Sequence, residues 1–232
     1  MLISEVITSV RDELLEPVEG FWTDVELLRY ANRAEKDYVN KTRIIERDAF
    51  MSLQQGRRDY PLPGDWFSAQ AVFFKDATSG DWRRVEATDL EKVSQVASNF
   101  LNNDTDNQKD PRKYFIWSGR IWFRETPKAN GTDDIYLFYD GKSTGMTATT
   151  SSINIPEELS EALTAYILWK AWSKEKEAGL AQEQKALYEQ YVKEGRRWKK
   201  KRAGDRKYRI DIVSQFEIGS GAGLSGFNPL SD

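Results

Sequence analysis

The chain reads as an α+β protein in which a helical bundle of about four helices carries a β-rich insertion and an extended C-terminal arm. Three observations predict this. Apolar residues recur at helical spacing near the start of the chain and again after residue 155. The stretch between them is rich in aromatic and β-branched residues punctuated by proline and glycine, the pattern of short strands joined by turns. Beyond Gly204 helical periodicity stops and apolar residues alternate with charged ones. The resulting plan places residues 1–47 and 153–203 in the bundle, 48–152 in the insertion and 204–232 in the arm.

Taken in order, Ile3, Val6, Ile7, Val10 and Leu14 predict an amphipathic helix over 2–15, closed by Pro17 and Gly20. Thr23-Asp24-Val25-Glu26 is a capping box, in which Thr23 accepts an orphan amide and Glu26 reaches back to the cap. It opens a second helix with Leu27, Tyr30, Ala31, Ala34 and Tyr38 on one face, ending about Ile44, and Trp22 packs over its first turn. Met51 to Tyr60 is extended, and Tyr60-Pro61-Leu62-Pro63-Gly64-Asp65-Trp66 turns the chain into a strand over Ala69–Lys75. Thr88-Asp89-Leu90-Glu91 opens a short helix to about Ser98, followed by a polar loop over 102–111. Ser118-Gly119 is a two-residue hairpin signal between Tyr114–Trp117 and Arg120–Arg124, and Ile135–Tyr139 adds a further strand.

Pro156-Glu157-Glu158 opens the next helix, with proline early and acids at the positive end of the dipole. To about Lys174 it is apolar on two faces, Leu159, Leu163, Tyr166 and Ile167 on one and Ala162, Ala165, Trp169 and Trp172 on the other, so it belongs at the centre of the bundle. A fourth helix over 177–202 carries Leu180, Leu187, Tyr188, Tyr191, Val192 and Trp198 and ends in a basic run.

Composition closes many routes to catalysis. The 232 residues include no cysteine and no histidine, which excludes disulfides, thiol nucleophiles, thiolate or imidazole metal sites and every imidazole-dependent triad. A reducing compartment and a secreted chain without bridges fit this equally. The opening residues carry acids early and lack a basic n-region, so they read as part of the structured protein rather than as a signal peptide. No apolar run approaches the roughly 20 residues that cross a bilayer, and no membrane association is expected.

The net charge of −3 conceals an asymmetry. Arg196, Arg197, Lys199, Lys200, Lys201 and Arg202 form a dense cationic run on an otherwise acidic chain. A helix end of this kind suits the dipole and the solvent, or it touches DNA phosphates or an acidic protein surface. No base-reading motif accompanies it. In the arm, Tyr208, Ile210, Ile212, Val213, Phe216 and Ile218 are apolar teeth that a partner would have to cover.

Two patterns fail on inspection. Gly221-Ala222-Gly223-Leu224-Ser225-Gly226 matches G-x-G-x-x-G, but only six residues follow and Pro229 is among them, so no helix can present its N-terminus to a pyrophosphate. Asp104, Asp106 and Asp110 suggest a calcium loop, yet Lys109 stands where an EF-hand needs glycine and Phe115 where it needs glutamate. No catalytic residue, cofactor or metal site is therefore expected. The aromatics Trp66, Phe73, Phe74, Trp82, Phe115, Trp117, Trp122, Phe123, Tyr136 and Phe138 read mostly as cover for a small sheet, with an exposed sugar platform as the alternative.

The order of these features resembles the head-to-tail adaptor proteins of tailed bacteriophages. The resemblance is carried by Trp22-Thr23-Asp24, Glu26-Leu27-Leu28, Tyr30-Ala31-Asn32 and Ala34, by Tyr60-Pro61-Leu62-Pro63, and by Ile155-Pro156 before a helix bearing Ala162, Ala165, Trp169, Ala171 and Trp172. It implies a non-enzymatic virion protein at the head–tail interface, assembled in the host cytoplasm. It also implies a homododecameric ring beneath the portal, an arm laid along portal subunits, tail or nozzle proteins on the opposite face and DNA passing non-specifically through the lumen. The basic run would then line that lumen or meet an acidic portal surface. Competing readings are a non-specific nucleic-acid-binding helical protein using residues 196–202, another tail component such as a nozzle or completion protein, and a carboxylate hydrolase, for which no spacing among the 37 acids nominates a pair.

Overall fold

A computed structural model describes residues 1–76, 79–96 and 108–219, with side chains described throughout except at 94–96 and 203–219. Helix α1 (Ile3–Glu13) starts where Glu5 accepts the Leu2 amide at 3.0 Å and buries Ile3, Val6, Ile7 and Val10. Helix α2 (Asp24–Thr42) begins at Thr23, whose hydroxyl accepts the Glu26 amide at 3.2 Å, and ends at Arg43 in the left-handed conformation. The reciprocal half of the expected capping box is not made. Glu26 instead takes Lys174 at 2.8 Å, and that hydrogen bond holds its carboxyl below the usual range.

The middle of the chain forms seven strands, β1 (Glu46–Leu53), β2 (Asp59–Pro61), β3 (Trp66–Lys75), β4 (Trp82–Ala87), β5 (Lys113–Trp117), β6 (Arg120–Phe123) and β7 (Gly131–Gly141). They make one mixed sheet in the order β1-β7-β3-β4-β5-β6-β2, antiparallel except for the β4–β5 pair. Helix α3 (Leu90–Val96) lies in the β4–β5 connection. Ser118 and Gly119 turn the β5–β6 hairpin with φ of 49° and 71°, the positive pair that a type I′ turn requires. The two edge strands of the sheet, β1 and β2, are consecutive in the chain, so the sheet curls back on itself into a nearly closed barrel. Every strand sends a residue into one apolar core: Leu53, Tyr60, Val72, Val85, Tyr114, Phe123 and Leu137 are representatives.

Helices α4 (Glu161–Glu175), preceded by a 3₁₀ turn at Glu157–Leu159, and α5 (Ala178–Gly219) complete the fold. Helix α4 packs against α1, α2 and α5, and its residues from Ala162 to Leu168 are all buried, which is why no polar face shows in its sequence. A second core of Ile3, Leu27, Tyr38, Leu163, Ile167 and Tyr188 joins these helices.

The expected fold class is thus corrected. The protein is not a four-helix bundle with a β-rich insertion; the described residues form five helices and a β-rich, barrel-like mixed sheet. Strand β4 escapes a pattern search because Val85 alone of its six residues is buried, and closure of the sheet is a long-range event that no local spacing announces. The extended arm is also corrected. The backbone stays helical through Gly219, because a lone glycine such as Gly204 costs a helix only about 1 kcal/mol and does not stop it. Ser98, Asp104, Asp106 and the glycine pattern at 221–226 lie outside the described residues.

Candidate functional site

Helix α5 runs for 42 residues, about 63 Å at 1.5 Å per residue, and holds both sequence-nominated contact regions. Its seat on the fold is set first by Tyr188 and Val192, both buried against the other helices. Gly195 follows, where α5 crosses α2. A side chain there would run into the Tyr38 hydroxyl and come within 3.0 Å of Thr42 Cγ2, so only glycine permits the approach. Tyr38 itself donates to the Tyr191 carbonyl at 3.3 Å, and burial pushes its phenol up to about 12. Sequence reading passed over Gly195 because an isolated glycine in a helical pattern is usually only a weak breaker.

The basic run splits into two faces. Arg196, Lys199 and Arg202 recur three apart and turn toward the protein. The Arg196 guanidinium donates to the Lys41 carbonyl at 2.9 Å, satisfying one of the orphan carbonyls at the end of α2. Lys199 pairs with Asp140 of β7, a buried carboxylate that also accepts from Ser68 Oγ and Gln70 Nε2, each at 2.8 Å. Arg202 stands 3.9 Å from Glu46 of β1 and lies over the Trp198 ring at 4.6 Å. Arg196 thus fastens α5 to the end of α2, and Lys199 and Arg202 fasten it to strands of the barrel. Arg197, Lys200 and Lys201 are exposed and have no ion-pair partner among the described residues. A run that looks uniform in sequence therefore contains a structural half and an exposed half.

The C-terminal residues Tyr208, Ile210, Ile212, Val213, Phe216 and Ile218 fall on the helical continuation of α5, where their side chains lie outside the described residues. In a helix, positions 208, 212 and 216 recur at four-residue spacing, which replaces the strand-like alternation read from sequence. Among the described residues no group of three or more acids gathers as a metal site, and Asp110 is paired with Lys128 at 3.1 Å. An open depression of about 350 Å³ at the α4–α5 elbow is lined by Trp169, Ser173, Gln182 and Lys185 and by no carboxylate. No described helix is long and apolar enough to cross a membrane.

Of the sheet aromatics, Phe74, Phe115 and Phe123 are buried as expected of core, whereas Trp82 and Trp117 are exposed. A buried acid that sequence reading missed lies between the two regions. Glu35 of α2 is fully buried and accepts from the Asn154 amide (2.6 Å), Asn154 Nδ2 (3.0 Å) and Ser143 Oγ, which ties the β7–α4 loop to the helices. Its signal was present in the sequence: it stands four residues after Ala31 and three before Tyr38, on the apolar stripe. Comparison with known proteins finds a family model described as SU10 adaptor protein, which matches residues 1–210. No curated protein matches the chain.

Proposed function

Since the chain belongs to the SU10 adaptor protein family, a family of phage head–tail adaptors, we propose that it is a non-catalytic neck protein that forms a ring between portal and tail and leaves a channel for DNA. A head–tail adaptor is a virion component that associates with portal and tail proteins. The finer reading, a homododecamer docked on the portal through residues 204–232, rests on the family match together with the reach of α5. The described contacts of that helix with the fold extend from Ala181 to Arg202, and the backbone runs on to Gly219. Apolar residues at 208, 212, 213 and 216 on that continuation suit a helix laid in a groove of a partner, where a few buried anchors dominate affinity.

The exposed cations Arg197, Lys200 and Lys201 suit a surface passed by DNA, since each phosphate contact releases a counterion and none requires a base sequence. This second role is compatible with a lumen or with an acidic portal surface. The decisive test is to mix the protein with portal and image the product by electron microscopy. Ring-on-ring particles are expected with the full chain, and loss of portal binding with unchanged folding on deletion of 205–232. Undiminished portal binding by the truncated protein would remove the C-terminal segment from the docking role.

A further inference from the structure

Four cations from three helices converge on one another where α2, α4 and α5 meet. Arg33 and Lys41 lie on α2 with Asp37 between them at one-turn spacing, Lys170 lies on α4 and Lys185 on α5. Positions 33, 41, 170 and 185 are distant in the chain, so tertiary packing makes this gathering and it is not a solvated charge run. Aromatic rings hold the cations in place. The Lys170 ammonium stands 3.6 Å from the centre of the half-buried Trp169 ring and 5.3 Å from that of Tyr166. Lys185 reaches the same indole at 5.7 Å, and Lys41 lies 5.1 Å from the Tyr188 ring. Trp169 is itself fixed, edge-on to Tyr166 at 5.3 Å and stacked on Tyr188 at 6.4 Å. Lysines anchored in this way lose less conformational freedom on meeting a ligand.

The charges do not balance. Asp37 is the acid within the group, and it is already engaged, accepting from the Lys41 ammonium and the Tyr188 hydroxyl, each at 2.6 Å. Glu26, earlier on α2, is taken by Lys174 and Arg29. Glu183 and Glu189 are exposed on α5 and form no ion pair among the described residues, and Arg33, Lys170 and Lys185 form none either. Burial holds the Lys170 ammonium below the ordinary lysine range, Asp37 opposes that, and the charges of Arg33, Lys185 and Lys41 deepen it. Lys170 thus stands in a crowd of like charge that a bound anion would relieve. Beside Trp169 and Lys185 the surface is concave, and the depression at the α4–α5 elbow adds Lys176 and the Gln182 side chain.

We propose that this three-helix cluster binds a phosphate group, with Lys170 and Lys185 as its principal contacts. Two features favour phosphate over a carboxylate. Three unpaired cations suit a group that carries more than one negative charge, and two lysines offer point charges rather than the planar fork that matches a carboxylate. With Lys170 against its ring and Tyr188 stacked on it, Trp169 is no platform for a base, so recognition stops at the phosphate. The phosphate comes from a nucleic-acid backbone or from a small phosphate compound. The cluster is distinct from Arg197, Lys200 and Lys201 and stands independently of the ring reading. The test titrates the full-length protein with inorganic phosphate and with a short DNA duplex, at ionic strength fixed with chloride. Lys170→Met and Lys185→Met, which keep an apolar stem over the rings, should each weaken phosphate binding roughly tenfold or more, the loss of one hydrogen bond to a charged group. Lys36→Met, exposed elsewhere on α2, should change nothing. If a DNA backbone is the source, the double variant also flattens the log–log salt dependence of duplex affinity by about 1.8, at roughly 0.9 per contact; an unchanged duplex slope beside lost phosphate binding assigns a small phosphate compound. The proposal is overturned if neither phosphate nor duplex binding depends on Lys170 and Lys185, or if a poly-glutamate peptide occupies them more tightly than either probe.

Discussion

Removing the Glu35 carboxylate should loosen the joint between helices and barrel by an amount that the structure bounds. Three donors converge on it: the Asn154 backbone amide at 2.6 Å, its side-chain amide at 3.0 Å and the Ser143 hydroxyl. A hydrogen bond to a charged group contributes about 1.5–3 kcal/mol, which puts the simple sum at roughly 4.5–9 kcal/mol. That sum is an upper bound, because Ser143 and Asn154 are only half-buried and water can reach them once the carboxylate is gone. Glu35→Ala should therefore cost about 3 kcal/mol, and Glu35→Gln about 1–2 kcal/mol, since one acceptor oxygen survives and the Ser143 hydroxyl can reverse its role. Urea titration followed by tryptophan fluorescence would read the loss as a lower midpoint with an unchanged slope. In melting temperature the alanine variant should fall by roughly 6–12 °C for a chain of this size. A loss below about 0.5 kcal/mol for the alanine variant, or equal losses for both, would show that the carboxylate is not the fastener described above.

Gly195→Ala gains helix propensity of up to about 1 kcal/mol but must push α5 away from the buried Tyr38, so a net loss of about 1–3 kcal/mol is expected in thermal melts. The Glu26–Lys174 pair makes a signed pH prediction. The Glu26 carboxyl is held below its ordinary 4.5 chiefly by its hydrogen bond to Lys174, so its contribution is complete above that value and lost as pH falls through the depressed one. Lys174→Met, which keeps packing over Trp22, should accordingly be less stable than wild type at neutral pH, and the difference should shrink on acidification; a gap that widens in acid contradicts the assignment. Replacing Arg197, Lys200 and Lys201 together by alanine should lower non-specific duplex affinity and flatten its log–log salt dependence by about 2.7, at roughly 0.9 per phosphate contact. Lys199→Met should leave that slope alone and lower stability instead, because its partner Asp140 would be left buried and uncompensated.

Which of these features could be read from the chain depends on how far apart their causes lie. The Thr23 cap, the Pro156 entry and the Ser118-Gly119 turn were legible because each is a local signal answered within a few residues. The centrality of α4 was legible from its lack of a polar face. The barrel was not, because its closure depends on β1 and β2 meeting from opposite ends of a seven-strand order. Glu35 finds its partners 108 and 119 residues away, and Lys199 finds Asp140 across 59. The adaptor resemblance survived the error in fold class, since the motifs that carry it are caps, turns and helix faces rather than topology.

The near-closure of the sheet has a consequence for how this chain can associate with others. Exposed strand edges invite pairing with identical chains, the route to aggregation that open sheets must guard against. Here the two outermost strands are turned toward each other, the shorter is only three residues long and ends in Pro61, which has no amide to offer. Tyr60 pins the turn that joins them: its hydroxyl accepts the Gln54 amide at 3.1 Å and donates to the Arg57 carbonyl at 2.8 Å. With its edges short and turned inward, the sheet offers little ladder to recruit strangers, and association is left to side-chain surfaces whose geometry can be specific.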